Sequence, residues 1–111
     1  KKYKDWAVAQ KLPNADKAVT NDPMEATYVG INTWAQAVTK AGTTDVDAVR
    51  TAMAGQTFDA PSGFTLKMDE TNHHLHKPVM IGEIRADGQF DIVYSTPTTV
   101  RAEPFSPYVP K

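Results

Sequence analysis

Apolar residues recur at helical spacing through the first half of the chain and alternate with polar ones through the second. Tyr3, Trp6 and Ala7 stand at i, i+3, i+4 and predict a short amphipathic helix over residues 1–12, ended by Pro13. Asn14 to Thr20 reads as loop. The strongest pattern begins at Asp22. Met24, Tyr28, Ile31, Ala35 and Val38 form one apolar stripe, widened by Trp34 and Ala41, and predict a helix from Pro23 to about Ala41. Asp22 suits the N-cap, Pro23 the first helical position and Glu25 the third, a capping-box arrangement, and Gly42 supplies the stop. A second helix follows, capped by Thr44 or Asp45, with Val46, Val49 and Met53 on one face and Gly55 at its end. Aromatic Tyr28 and Trp34 at this spacing are expected to pack in a core.

Past Gly55 the period shortens to two. Phe64, Leu66 and Met68 alternate with Thr65, Lys67 and Asp69, as in a half-buried strand. Val79 to Arg85 predicts a second strand. Asp87-Gly88 is a hairpin signal with both turn positions expected at positive φ, and Gln89 to Tyr94 returns. Four prolines between Pro97 and Lys111 favour an extended tail lying over a surface. Three strands with no fourth leave unpaired edges, which folded proteins cover or pair, so the layout resembles part of something larger.

The chain has 111 residues, 12 basic and 13 acidic side chains, and a net charge of −1, which limits it to one domain and argues against a nucleic-acid partner. It has no cysteine, so a disulfide framework and Cys-ligated zinc are excluded. No apolar run is long enough to span a bilayer, and any secretory leader is expected to have been removed or to lie outside this chain.

Chemistry has few places to reside. His73, His74 and His76 could ligate zinc or nickel, or could hydrogen-bond to backbone or to Asp69 and Glu70 in a polar connection. Asp45 and Asp47 are explained by a helix N-terminus, and Asp69 and Glu70 by a strand end. Ser62 in Pro61-Ser62-Gly63 has turn composition, and no nucleophile elbow is present. Glu25 either completes the capping box or points into a cleft as a hydrogen-bond acceptor.

Several stretches together resemble one family. They are Asn21 to Tyr28, Thr44 to Arg50, Ala52 to Phe58, Ala60 to Asp69, Asn72 to Ile84, Asp87 to Phe90, and the Ser106-Pro107-Tyr108 ending. Collectively they are similar to the C-terminal portion of the urea-binding subunits of bacterial ABC importers, type I periplasmic binding proteins. The resemblance is specific at Asn72 to Pro78 and weaker over Lys1 to Thr20.

The resemblance implies an α/β fold: the C-terminal fragment of a two-lobed protein, with a helical hairpin followed by strands and a C-terminal β-hairpin. Residues 1–77 would belong to the first lobe, 78–96 to a crossover and the hairpin of the second, and 97–111 to the Pro-rich tail. The helix after Asn21-Asp22-Pro23 would approach the interlobe cleft, making Met24, Glu25 and Tyr28 the substrate-binding candidates, with the histidines beside a hinge near Pro78. The implied function is binding urea or a short-chain amide and delivering it to a membrane permease. The protein would be periplasmic, or secreted and cell-surface anchored, and not an enzyme, with no cofactor, no metal and no catalytic residue. Its partners would be the ligand, the remaining N-terminal part of the same protein and the permease. The alternatives are a branched-chain amino acid-type solute-binding protein, a His-cluster metal-binding hydrolase, and a fragment that self-associates through its open strands.

Overall fold

The computed structural model describes residues 2–105 and Tyr108. Lys1, Ser106, Pro107 and residues 109–111 lie outside the described residues, and with them most of the Ser106-Pro107-Tyr108 motif and the end of the tail.

Three α-helices precede five strands: α1 (Lys2–Ala9), α2 (Asp22–Ala41), α3 (Val46–Met53), β1 (Thr57–Asp59), β2 (Thr65–Met68), β3 (Leu75–His76), β4 (Met80–Ile84) and β5 (Phe90–Ser95). The expected mixed helix-and-strand order is therefore present, with β1 and β3 added to the three anticipated strands. Both additions are too short to show a period: β1 has three residues and β3 two. A single 3-10 turn occupies Ala15–Lys17 within the expected loop.

The start of α2 differs from the capping box. Asn21, in extended conformation, is the N-cap, and its Oδ1 accepts from the Met24 amide at 3.0 Å. Losing such a cap typically costs about 1 kcal/mol. Pro23 falls in the first turn, where no amide proton is needed, and Gly42 closes the helix at φ +68. In α3, Asp45 is the cap, its Oδ1 accepting from the Ala48 amide at 3.0 Å. The two helices meet through small side chains, Ala37 against Val49 and Ala52. Two long side chains stitch them: Lys40 Nζ donates to Ala52 O at 3.3 Å, and Gln56 Nε2 donates to Thr33 O at 2.8 Å.

In the first sheet β2 is central, antiparallel to β1 (Phe58 opposite Leu66) and to β3 (Met68 opposite Leu75). The predicted alternation holds in β2, where Leu66 and Met68 are buried and Thr65 is exposed. Leu66 sits with Val29 and Ala60 in a core that Phe58, Phe64 and Leu75 flank. The buried face of α2 is thus Val29 and Thr33 toward this sheet and Ala37 toward α3. Thr33 is tolerated there because its hydroxyl bonds back to Val29 O at 2.7 Å.

That packing corrects the expectation for the apolar stripe of α2. Ile31 and Trp34 are roughly half exposed or more on the side of the helix away from the sheet, and Tyr28 is half exposed at its flank, against Phe58 of β1. Of the same stripe, Val38 and Ala41 pack beside the contact with α3. Val46 is exposed, and Val49 and Ala52 make the buried face of α3.

The β4–β5 hairpin forms a second, two-stranded sheet, with Ile81 opposite Tyr94 and Gly82 opposite Ile92, so that Val93 is bulged out. Phe90 lies over Gly82; a Cβ there would stand 3.1 Å from it. The turn corrects the two-residue expectation. Arg85 N donates to Gln89 O and Gly88 N to Arg85 O, closing a three-residue loop in which only Gly88 takes positive φ. Every residue of both strands is exposed, although they carry Ile81, Ile84, Phe90, Ile92 and Tyr94.

Two whole-chain quantities agree with these open faces. The radius of gyration is 17.1 Å, whereas a compact domain of this length has about 13 Å. The accessible surface is 8629 Å², against roughly 6,100 Å² for a folded monomer of 12.2 kDa. No helix among the described residues is long and apolar enough to cross a membrane.

Candidate site at the start of the second helix

Because Asn21 performs the capping, the Glu25 side chain is released from that role. It reaches across to the turn between β1 and β2, where its Oε1 accepts from the Ser62 amide at 2.8 Å. The turn is held in place by Ala60 N donating to Phe64 O and Gly63 N to Ala60 O, each at 2.9 Å, with Gly63 at φ +91. Glu25 Oε2 has no hydrogen-bond partner among the described residues. Beneath Glu25 runs a groove of about 290 Å³ between α2 and the sheet, walled by Val29, Leu66, Met68 and Leu75. Lys77 also lines it, and its Nζ pairs with Asp22 Oδ1 at 2.6 Å.

The three predicted site residues therefore separate. Glu25 is at the groove. Met24 and Tyr28 lie outside it, on the exposed side of α2, where the Tyr28 ring meets Phe58 edge-on with centroids 6.2 Å apart. A half-buried carboxylate with one oxygen held by a backbone amide and the other open can accept from the N–H groups of a small neutral amide.

The histidines do not converge. His73, in the left-handed region at φ +56, puts Nε2 3.2 Å from Arg50 O. His74 Nδ1 turns back to Asn72 O at 2.9 Å, and His76 Nε2 lies 3.0 Å from Asp69 Oδ2. The hydrogen-bonding reading, including the expected contact with Asp69, describes these distances. Among the described residues no group of three His, Asp or Glu side chains gathers around a common point.

Asp69 is the most heavily bonded side chain among the described residues. Its Oδ1 accepts from Thr71 N (2.8 Å), Thr71 Oγ1 (2.7 Å) and Asn72 N (3.2 Å), and its Oδ2 from His76 Nε2 and from Arg101 Nε at 3.2 Å. The bonds from the Thr71 hydroxyl and amide, then from His76, hold its carboxyl well below the usual carboxylate range, against an opposing push from burial. The sequence placed Asp69 at a strand end and as a partner for a histidine, without its bonds to Thr71, Asn72 and Arg101. The spacing Asp69-x-Thr71-Asn72 is the signal that could have found it, since an aspartate that bonds the amides two and three residues on makes an Asx-type turn. Ser62 and Arg101 carried no comparable signal, because their partners are 37 and 32 residues away in sequence.

Comparison with known proteins adds two findings. The chain is 38% identical over 87 residues to a protein named limonene hydroxylase from Geobacillus stearothermophilus, an alignment taking in 78% of this chain and 16% of that protein. The chain thus spans under a fifth of the length of the curated relative it matches. The family described as periplasmic binding protein domain matches residues 3–111, the whole chain but for its first two residues. With its helices and its two small antiparallel sheets, the chain belongs to the periplasmic binding protein domain family.

Proposed function

We propose that this chain is the C-terminal part of the substrate-binding subunit of a bacterial ABC importer, that the solute is urea or a short-chain amide, and that the protein is not an enzyme. The observation that carries the reading is Glu25: a carboxylate at the first turn of α2, braced on Ser62 through one oxygen and open at the other. Urea is small and neutral and presents N–H donors. A few acceptors in a closing cleft suffice to hold it, with closure expelling water.

The rest of the same protein is the first partner in this reading. The exposed Ile31 and Trp34 of α2, the exposed hairpin and about 2,500 Å² of surplus surface support it. An area of that size matches a permanent interface, not a transient one. The permease is the second partner, and the location is periplasmic or cell-surface anchored.

Calorimetry on the full-length protein tests the reading with urea, formamide, acetamide and leucine. Saturable heat with urea or a short-chain amide and none with leucine is the expected result. Binding of leucine alone would replace it with the amino acid-type assignment. The matched relative is named for limonene hydroxylation, so conversion of limonene by the full-length protein would overturn the non-enzymatic reading.

A further inference from the structure

The β4–β5 hairpin joins the rest of the chain through two backbone segments, 77–79 leading out and 96–100 leading back. They run side by side as a neck. Thr96 N donates to Val79 O at 2.9 Å and Val100 N to Lys77 O at 2.8 Å, while Val79 N donates to Thr96 Oγ1 at 3.1 Å. Pro78 and Pro97, with no amide proton to give, interrupt the pairing in both segments. Since every residue of both hairpin strands is exposed, the neck is what fixes the hairpin's direction.

At the base of the neck stands Asp69, 4% exposed. Its Oδ2 takes hydrogen bonds from two side chains at once. His76 immediately precedes the outgoing segment, and Arg101 immediately follows the returning one. A carboxylate only accepts, so Nε2 is the protonated nitrogen of His76 in this contact. Asn72, whose amide bonds the other Asp69 oxygen, donates from Nδ2 to Ala102 O at 3.0 Å. One buried carboxylate therefore ties the entry and the exit of the neck to the end of β2. Sliding one segment past the other, or twisting the pair apart, breaks a charge-assisted bond.

We propose that Asp69 is a positioning residue for the hairpin: through His76 and Arg101 it clamps both segments of the neck, so that they bend as one and start from a set direction. The clamp itself is independent of the ligand; its role in closing a cleft rests on the solute-binding reading above.

The test is hydrogen exchange on the full-length protein at the Val100 and Thr96 amides, which bond across the neck at its two levels, in wild type, Arg101→Gln and Arg101→Lys. Arg101 is more than half exposed, so the effect is modest: without ligand, Val100 should exchange roughly three- to tenfold faster in Arg101→Gln. Thr96 should stay within about twofold of wild type, and Arg101→Lys should lie nearer wild type. Urea affinity should fall about threefold in Arg101→Gln, although Arg101 is far in sequence from the proposed ligand contact. Unchanged exchange at Val100 refutes the clamp, and so does a uniform rise across Val100, Thr96 and β2, which is general loosening. Faster exchange at Val100 with unaltered urea affinity refutes its role in closure. Because the exchange arm uses no ligand, a wild type that binds no amide overturns the urea reading and leaves the clamp standing on Val100.

Discussion

Glu25 bonds Ser62 in this structure and is proposed to bond ligand, and the two roles separate under substitution. Glu25→Gln keeps an acceptor of the same length, so the 2.8 Å contact with the Ser62 amide survives as a neutral hydrogen bond. Neutral bonds contribute about 0.5–1.5 kcal/mol and charged ones about 1.5–3. At the ligand the amide nitrogen takes the place of the open Oε2 and cannot accept, so a charged bond is lost, about 1.5–3 kcal/mol or roughly a ten- to hundredfold weaker Kd for urea. Glu25→Ala removes the ligand bond and the Ser62 brace and frees the turn at residues 61–63, so its loss should be at least as large. Calorimetry gives the affinities, and chemical denaturation of the same samples gives stability, where Gln should stay within about 0.5 kcal/mol of wild type. Wild-type affinity in Glu25→Gln, with weakening in Glu25→Ala that tracks its lost stability, would reduce Glu25 to a brace for the turn.

Three further outcomes follow from the packing and the charges. Leu66→Ala empties the centre of the core beside Val29 and Ala60 and should destabilise by about 3 kcal/mol, read as a lower denaturation midpoint at unchanged slope. Asp69 has a lowered pKa in the fold, so its contribution is complete above the ordinary carboxylate value of about 3.9 and fades as pH falls below it. The stability gap between wild type and Asp69→Asn should accordingly be flat from neutral pH down to about pH 5 and shrink below about pH 4; a gap independent of pH would contradict this. Trp34, half exposed here, should be less accessible to acrylamide in the full-length protein than in this chain alone, and equal quenching would mean that nothing covers the outer face of α2.

Helices α2 and α3 were legible because each combines a long period with local signals at its ends, and both depend on neighbours within four residues. The same holds for β2 and for the β4–β5 pair. What escaped was short or distant. β1 and β3 exist only because β2 offers its two edges. The cap of α2 is Asn21 and not Asp22, whose carboxylate instead pairs with Lys77, 55 residues on. That cap is also what frees Glu25 for Ser62.

The alternation of apolar and polar positions determined which segments are helix and strand, and three strands with no fourth already raised the expectation of a piece of something larger. It could not determine which face of α2 is buried, since Val29, Thr33 and Ala37 are a weaker apolar pattern than Tyr28, Ile31 and Trp34. That was decided by close approach: small side chains let the helix pack tightly on the sheet and on α3, while the bulky residues stay exposed. Nor could local sequence bring His76 and Arg101 to one oxygen of Asp69. Only the return of the chain along the neck does that, and a buried carboxylate holds whatever donors the fold delivers to it.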